Sequence, residues 1–127
     1  MLKKREMSKK TLILGATTNP DRYAYKAAKM LTDNNHPILP VGIKSGNVFG
    51  KEIEQNKETI FKEVNTITLY VGPRNQPEWY DYILKTNPKR IIFNPGTENE
   101  ELAQLAKEKG IECEEACTLV LLSLGSY

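Results

Sequence analysis

Four short turns carry the residues best suited to chemistry. The first, Gly15-Ala16-Thr17-Thr18-Asn19-Pro20, offers two hydroxyls and a run of small residues just ahead of a helical pattern starting at Arg22. Backbone N–H groups at a helix start, joined by hydroxyls, suit a phosphate or another oxyanion. Arg22 and Tyr23 stand at the helix entry. The second turn, Val41-Gly42-Ile43-Lys44, adds a cation. The third is Gly72-Pro73 and the fourth Asn94-Pro95-Gly96. All four are small and turn-forming, so a ligand can approach the main chain closely.

Other chemistries find less support. Gly15 is followed by no second or third glycine in register, so the dinucleotide fingerprint is missing. No G-x4-G-K run provides a nucleoside-triphosphate loop. One histidine and two cysteines argue against a Cys/His zinc site. Cys113 and Cys117 are four apart, not a C-x-x-C redox pair, and read as small buried hydrophobes. His36 precedes Pro37 at a strand entrance and reads as structural. Glu98, Glu100 and Glu101 open a helix, where the macrodipole favours acids. Glu114 and Glu115 stay open as acid–base candidates.

The elements that must hold these turns can be read from the pattern. Apolar strand-like runs occur at 11–14, 38–41, 66–71 and 91–93, with a fifth at 111–114. Between them lie helical patterns beginning at Arg22, at Pro77 and after Thr97, and a last one over 116–124. Thr97 with Glu100 forms a capping-box pattern, and Leu102, Leu105 and Ala106 supply that helix's inner face. Residues 42–50 are glycine-rich, with an extended piece at 47–49. Residues 56–64 have helical spacing, with Ile60, Phe61 and Val64 inward. Alternating strand, turn and helix predict an α/β three-layer sandwich, Rossmann-like, with a mainly parallel five-stranded sheet. In such sheets ligands sit beyond the carboxyl ends of the strands, where the four turns fall.

Composition bounds the rest. The 127 residues suit one domain, expected over 11–127, preceded by a basic tail at 1–10. The tail has five basic groups against Glu6, and the remainder has 13 basic against 15 acidic groups. A mildly acidic body without a basic stripe argues against nucleic-acid binding, and the tail reads as a solvated terminus. The longest apolar stretch, four residues at 119–122, cannot span a membrane. The basic N-terminus has no apolar core behind it, so no secretory signal is read, and a cytoplasmic location is expected.

The ordered turns resemble the small stand-alone CoA-binding proteins, which are similar to the CoA-binding domain of the succinyl-CoA synthetase alpha subunit. The resemblance runs from residue 11 to residue 127. It is carried by the segment from Gly15 through Tyr23 to Ala28, by Pro40-Val41-Gly42-Ile43-Lys44, and by Val71-Gly72-Pro73-Arg74. The run from Ile92 through Asn94-Pro95-Gly96 to Glu100 and the turn Glu115-Ala116-Cys117-Thr118 complete it. It implies a coenzyme A or acyl-CoA site formed by Gly15, Ala16, Thr17, Thr18, Asn19, Arg22, Tyr23, Val41, Gly42, Lys44, Gly72, Pro73, Asn94, Pro95 and Gly96. Lys44 corresponds to a lysine near the nucleotide end of CoA in the synthetases. Gly42 departs from the family's usual asparagine. The synthetases' phosphorylated histidine lies in a domain with no counterpart in this sequence. The expectation is therefore binding of CoA without catalysis, with a protein partner left open. A small enzyme using a CoA thioester or nucleotide, or an interaction module with a vestigial pocket, are the alternatives.

Overall fold

A computed structural model describes residues 8–127. Five four-residue strands make one parallel sheet: β1 (Thr11–Leu14), β2 (Ile38–Val41), β5 (Thr66–Leu69), β6 (Arg90–Phe93) and β7 (Glu112–Glu115). A hairpin of β3 (Asn47–Val48) and β4 (Lys51–Glu52) stands beside it. The sheet order is β2-β1-β5-β6-β7, so the chain reverses direction of travel between β1 and β5. That switch leaves a crevice at the carboxyl ends of these two strands.

The predicted class, an α/β Rossmann-like sandwich, is what the chain adopts. Four helices cover the sheet: α1 (Tyr23–Asp33), α2 (Tyr80–Thr86), α3 (Glu100–Glu108) and α4 (Thr118–Leu124). Successive strand side chains point to opposite faces. Leu12, Leu14, Ile67, Leu69, Ile91 and Phe93 pack with Ile83, Leu102 and Ala106 on one face. Ile13 and Ile92 pack with Ala24, Ala28, Leu31 and Leu122 on the other. Continuous apolar strands of this kind are the signature of a parallel sheet buried on both sides.

Three local readings are corrected. Residues 56–64 form turns and coil, not a helix. Val64 is buried, and Ile60 and Phe61 pack against the core, so apolar residues with helical spacing are satisfied without helical backbone. Glu63 has a φ of 58°, outside the helical range. The N-cap of α3 is Asn99 rather than Thr97: its side chain accepts the Glu101 and Leu102 N–H groups. Thr97 instead turns inward and donates its hydroxyl to the Asn94 carbonyl at 2.7 Å. The helix after Pro77 starts as a 3₁₀ turn (Pro77–Trp79) and becomes α-helical only at Tyr80.

Part of the basic tail lies outside the described residues. Ser8, Lys9 and Lys10 are tied to the body. The Lys9 N–H donates to His36 Nδ1 at 2.9 Å, the Lys9 ammonium donates to the Tyr127 carbonyl, and the Lys10 carbonyl accepts Asn65 N–H at 2.9 Å. The His36 ring lies tilted at 56° against Tyr127, with ring centroids 4.9 Å apart, at the amino ends of the strands. This places it on the opposite rim from the four turns.

Candidate functional site

The loops beyond β1, β2, β5 and β6 enclose a groove of about 870 Å³. That is within the range of small-molecule sites. Gly15, Ala16, Thr17 and Thr18 form one wall, with Arg22 and Tyr23 above them. Gly42 and Lys44 enter from the second loop, and Gly72, Pro95 and Gly96 from the third and fourth. Eleven of the fifteen expected residues therefore line a single groove.

Close backbone packing builds the wall formed by the first turn. Gly15 has a φ of 99°, and a Cβ there would meet the Tyr70 carbonyl group at 3.0 Å. A Cβ at Gly42 would lie 2.8 Å from the Ala16 carbonyl oxygen. The asparagine that the resemblance leads one to expect at 42 cannot be placed there without moving this loop. Gly46 abuts the Thr18 methyl in the same way. The first turn itself is held by Asn19. Its N–H donates to Thr17 Oγ1 at 3.1 Å, and its Oδ1 accepts Asp21 N–H at 3.0 Å.

Helix α1 begins at this wall with no side chain capping it. An uncapped helix start leaves N–H donors and a partial positive charge for an anion. Arg22 and Lys44 bring two cations to the lining, and Asp21 one opposing carboxylate. These donors fit a phosphorylated ligand.

The opposite end differs in character. Val71, Asn75, Trp79 and Thr97 join the lining there, together with Glu78. Trp79 is 3% exposed and meets Tyr82 edge-on at 5.6 Å. Lys57 covers the Trp79 ring at 4.3 Å and pairs with Glu78 at 2.9 Å. Lining residues missed from sequence occur at both ends, with Asp21, Ala24, Ile43, Ser45 and Ile53 beside the first two loops and these five here. Apolar residues such as Val71 and Trp79 look like core in a sequence, because only the fold brings their edges to the groove.

Four expected residues do not line the groove. Asn94 is buried beneath it and bonded to Thr68, Leu69 and Thr118. Val41 is 1% exposed and belongs to the core. Asn19 shapes the first turn from outside, and Pro73 is exposed at the start of a 3₁₀ turn (Pro73–Asn75) whose last residue, Asn75, lines the groove in its place. The acid–base candidates are elsewhere too. Glu114 faces Arg90, with Oε2 3.5 Å from the guanidinium, and neither it nor Glu115 reaches the groove. Tyr70 borders the groove, but burial pushes its phenol up to about 12. It stays protonated at neutral pH and offers no base. Among the described residues no group of three or more His, Cys, Asp or Glu side chains is placed to hold a metal.

Residues 9–123 match the family model described as CoA binding domain. The chain belongs to the CoA-binding-domain family. Among proteins similar to this family member is YneT of Bacillus subtilis (strain 168), itself uncharacterized. The two are 24% identical over 105 residues, which is 83% of this chain and 78% of that one. A crystal structure of an uncharacterized protein is 52% identical and superposes with a TM-score of 0.92, covering 94% of this chain and 98% of the other. A hypothetical protein from Pyrococcus horikoshii OT3 is 26% identical with a TM-score of 0.79, over 93% and 86% of the two chains. This CoA-binding domain thus shares its whole fold, five strands and their covering helices, with small single-domain proteins.

Proposed function

We propose that the protein binds coenzyme A or an acyl-CoA in the strand-end groove and does no chemistry on it. One observation carries this reading: the uncapped start of α1 and the loop at 15–18 open into the same groove as Arg22 and Lys44. Coenzyme A has a diphosphate and a 3′-phosphate, and these need oriented N–H donors and cations. The neutral pantetheine arm then runs toward Val71, Trp79 and Thr97. Of the carboxylates at the groove, Glu78 is paired with Lys57 and Asp21 stands beside the first turn, whereas Glu114 is turned to Arg90 outside it. The two cysteines are free, which suits the reducing cytoplasm.

Thermal unfolding in the presence of CoA, acetyl-CoA, NAD and ATP tests the reading. A ligand that binds only the folded chain raises its unfolding midpoint. CoA and acetyl-CoA are expected to raise it well above the effect of NAD or ATP. A midpoint unmoved by either CoA compound overturns the proposal. Steady release of free thiol from acetyl-CoA in the presence of the protein would move it to the enzymes.

A further inference from the structure

Beyond the last ladder pair, Leu69 with Phe93, β5 and β6 diverge into the two loops of the groove's far wall. Among the described residues no backbone hydrogen bond joins residues 70–76 to residues 95–99. One side chain spans the gap. Gln76 is fully buried, and its Nε2 donates to the Val71 carbonyl and to the Thr97 carbonyl, each at 2.8 Å. Its Oε1 accepts from Asn99 Nδ2, also at 2.8 Å. Both amide hydrogens and the oxygen are thereby used.

Asn99 continues the connection. Its Oδ1 caps α3, while its Nδ2 also donates to Tyr80 Oη at 2.8 Å, and that phenol donates to Glu101 at 2.9 Å. The third and fourth loops and the starts of α2 and α3 are therefore fastened through two linked amides, Gln76 and Asn99. Gln76 does not itself line the groove, but both residues whose carbonyls it holds, Val71 and Thr97, do.

We propose that Gln76 is a positioning residue that sets the width of the pantetheine half of the groove. This rests on the reading above, in which the phosphates lie at 15–18 and the arm lies between Val71 and Thr97. A wall held from behind by a satisfied, buried amide is pre-organised, so the arm meets it without ordering the loops. Without both Nε2 donations the two carbonyls repel each other and seek water, and the loops part. The phosphate end, built on β1, β2 and α1, is not in this network.

The test compares CoA with adenosine 3′,5′-bisphosphate, which carries the phosphorylated end and no arm. Titration calorimetry is run on the unaltered chain, on Gln76→Met and on Asn99→Asp. The methionine variant keeps the volume and loses all three bonds. The aspartate variant keeps the α3 cap and loses the donor to Gln76, so it reads the same strut with less risk to folding. Gln76→Met is expected to weaken CoA about tenfold, and Asn99→Asp about threefold, as lost buried hydrogen bonds imply. The bisphosphate is expected to stay within about twofold in both. A purely structural role lowers the folded fraction and weakens both ligands equally. Equal losses, or no loss for CoA in either variant, overturn the proposal. Failure of the unaltered chain to bind CoA overturns the functional reading itself, and this inference with it. Binding of CoA without any binding of the bisphosphate overturns the inference alone, since the anchoring end then lies elsewhere.

Discussion

Asn94 and Thr118, 24 residues apart, are joined by a hydrogen bond of 2.9 Å in which the Thr118 N–H donates to Asn94 Oδ1. The Asn94 Nδ2 donates to Thr68 Oγ1 at 2.8 Å and to the Leu69 carbonyl at 3.0 Å. Thr68 and Thr118 are themselves bonded through their hydroxyls at 2.8 Å. One buried asparagine thus ties the end of β6 to β5 and to the start of α4, directly below the groove.

Asn94→Leu should therefore be mainly a stability variant. It strands the Thr118 N–H and the Leu69 carbonyl in the interior, at a cost of about 2–4 kcal/mol. Urea unfolding followed by circular dichroism measures it. A loss below about 1 kcal/mol would mean that other groups or water satisfy these atoms.

Gly42→Asn tests the close approach to the Ala16 carbonyl, which a Cβ would meet at 2.8 Å. Although asparagine is the residue expected there by resemblance, the substitution should destabilise the fold by about 1–3 kcal/mol through overpacking. It should also weaken CoA, because the displaced segment is the wall at which the proposed reading places the phosphates. Tighter binding would show that the second loop yields instead.

Lys44→Ala addresses charge at the exposed groove rim. If Lys44 meets the 3′-phosphate, CoA should lose about fivefold in affinity, and dephospho-CoA should lose nothing beyond about twofold. The difference should shrink at high salt, since the pair is open to solvent. Equal losses for the two ligands would move Lys44 to the diphosphate.

His36 predicts a pH dependence far from the groove. Burial lowers its pKa below the ordinary 6.5, and the charges of Lys9 and Arg90 lower it further. Its Nδ1 accepts the Lys9 N–H and so must be unprotonated in the fold. The unfolded chain then binds the proton more readily, so stability rises with pH in this window. The contribution is complete above about pH 6.5 and is lost as pH falls toward the lowered value. Unfolding midpoints between pH 5 and 8 should show this slope, and His36→Phe, which keeps an aromatic ring beside Tyr127, should flatten it. An unchanged slope in that variant would assign the dependence to other groups.

The sequence alone determined the strand–turn–helix alternation and the positions of the groove's turns. Buried parallel strands are short apolar runs, and the chain leaves each at small or turn-forming residues, so both signals are local. It could not determine which polar residues of those turns face a ligand. Asn94 and Asn99 both look like turn residues, and only partners more than 20 positions away make Asn94 a floor beam and tie the Asn99 helix cap to Gln76. The spacing of Ile60, Phe61 and Val64 likewise specified burial but not helix, since the core they meet is built by distant strands. Local pattern sets what a segment prefers, whereas the burial and hydrogen-bond partners that assign a role exist only once the sheet has closed.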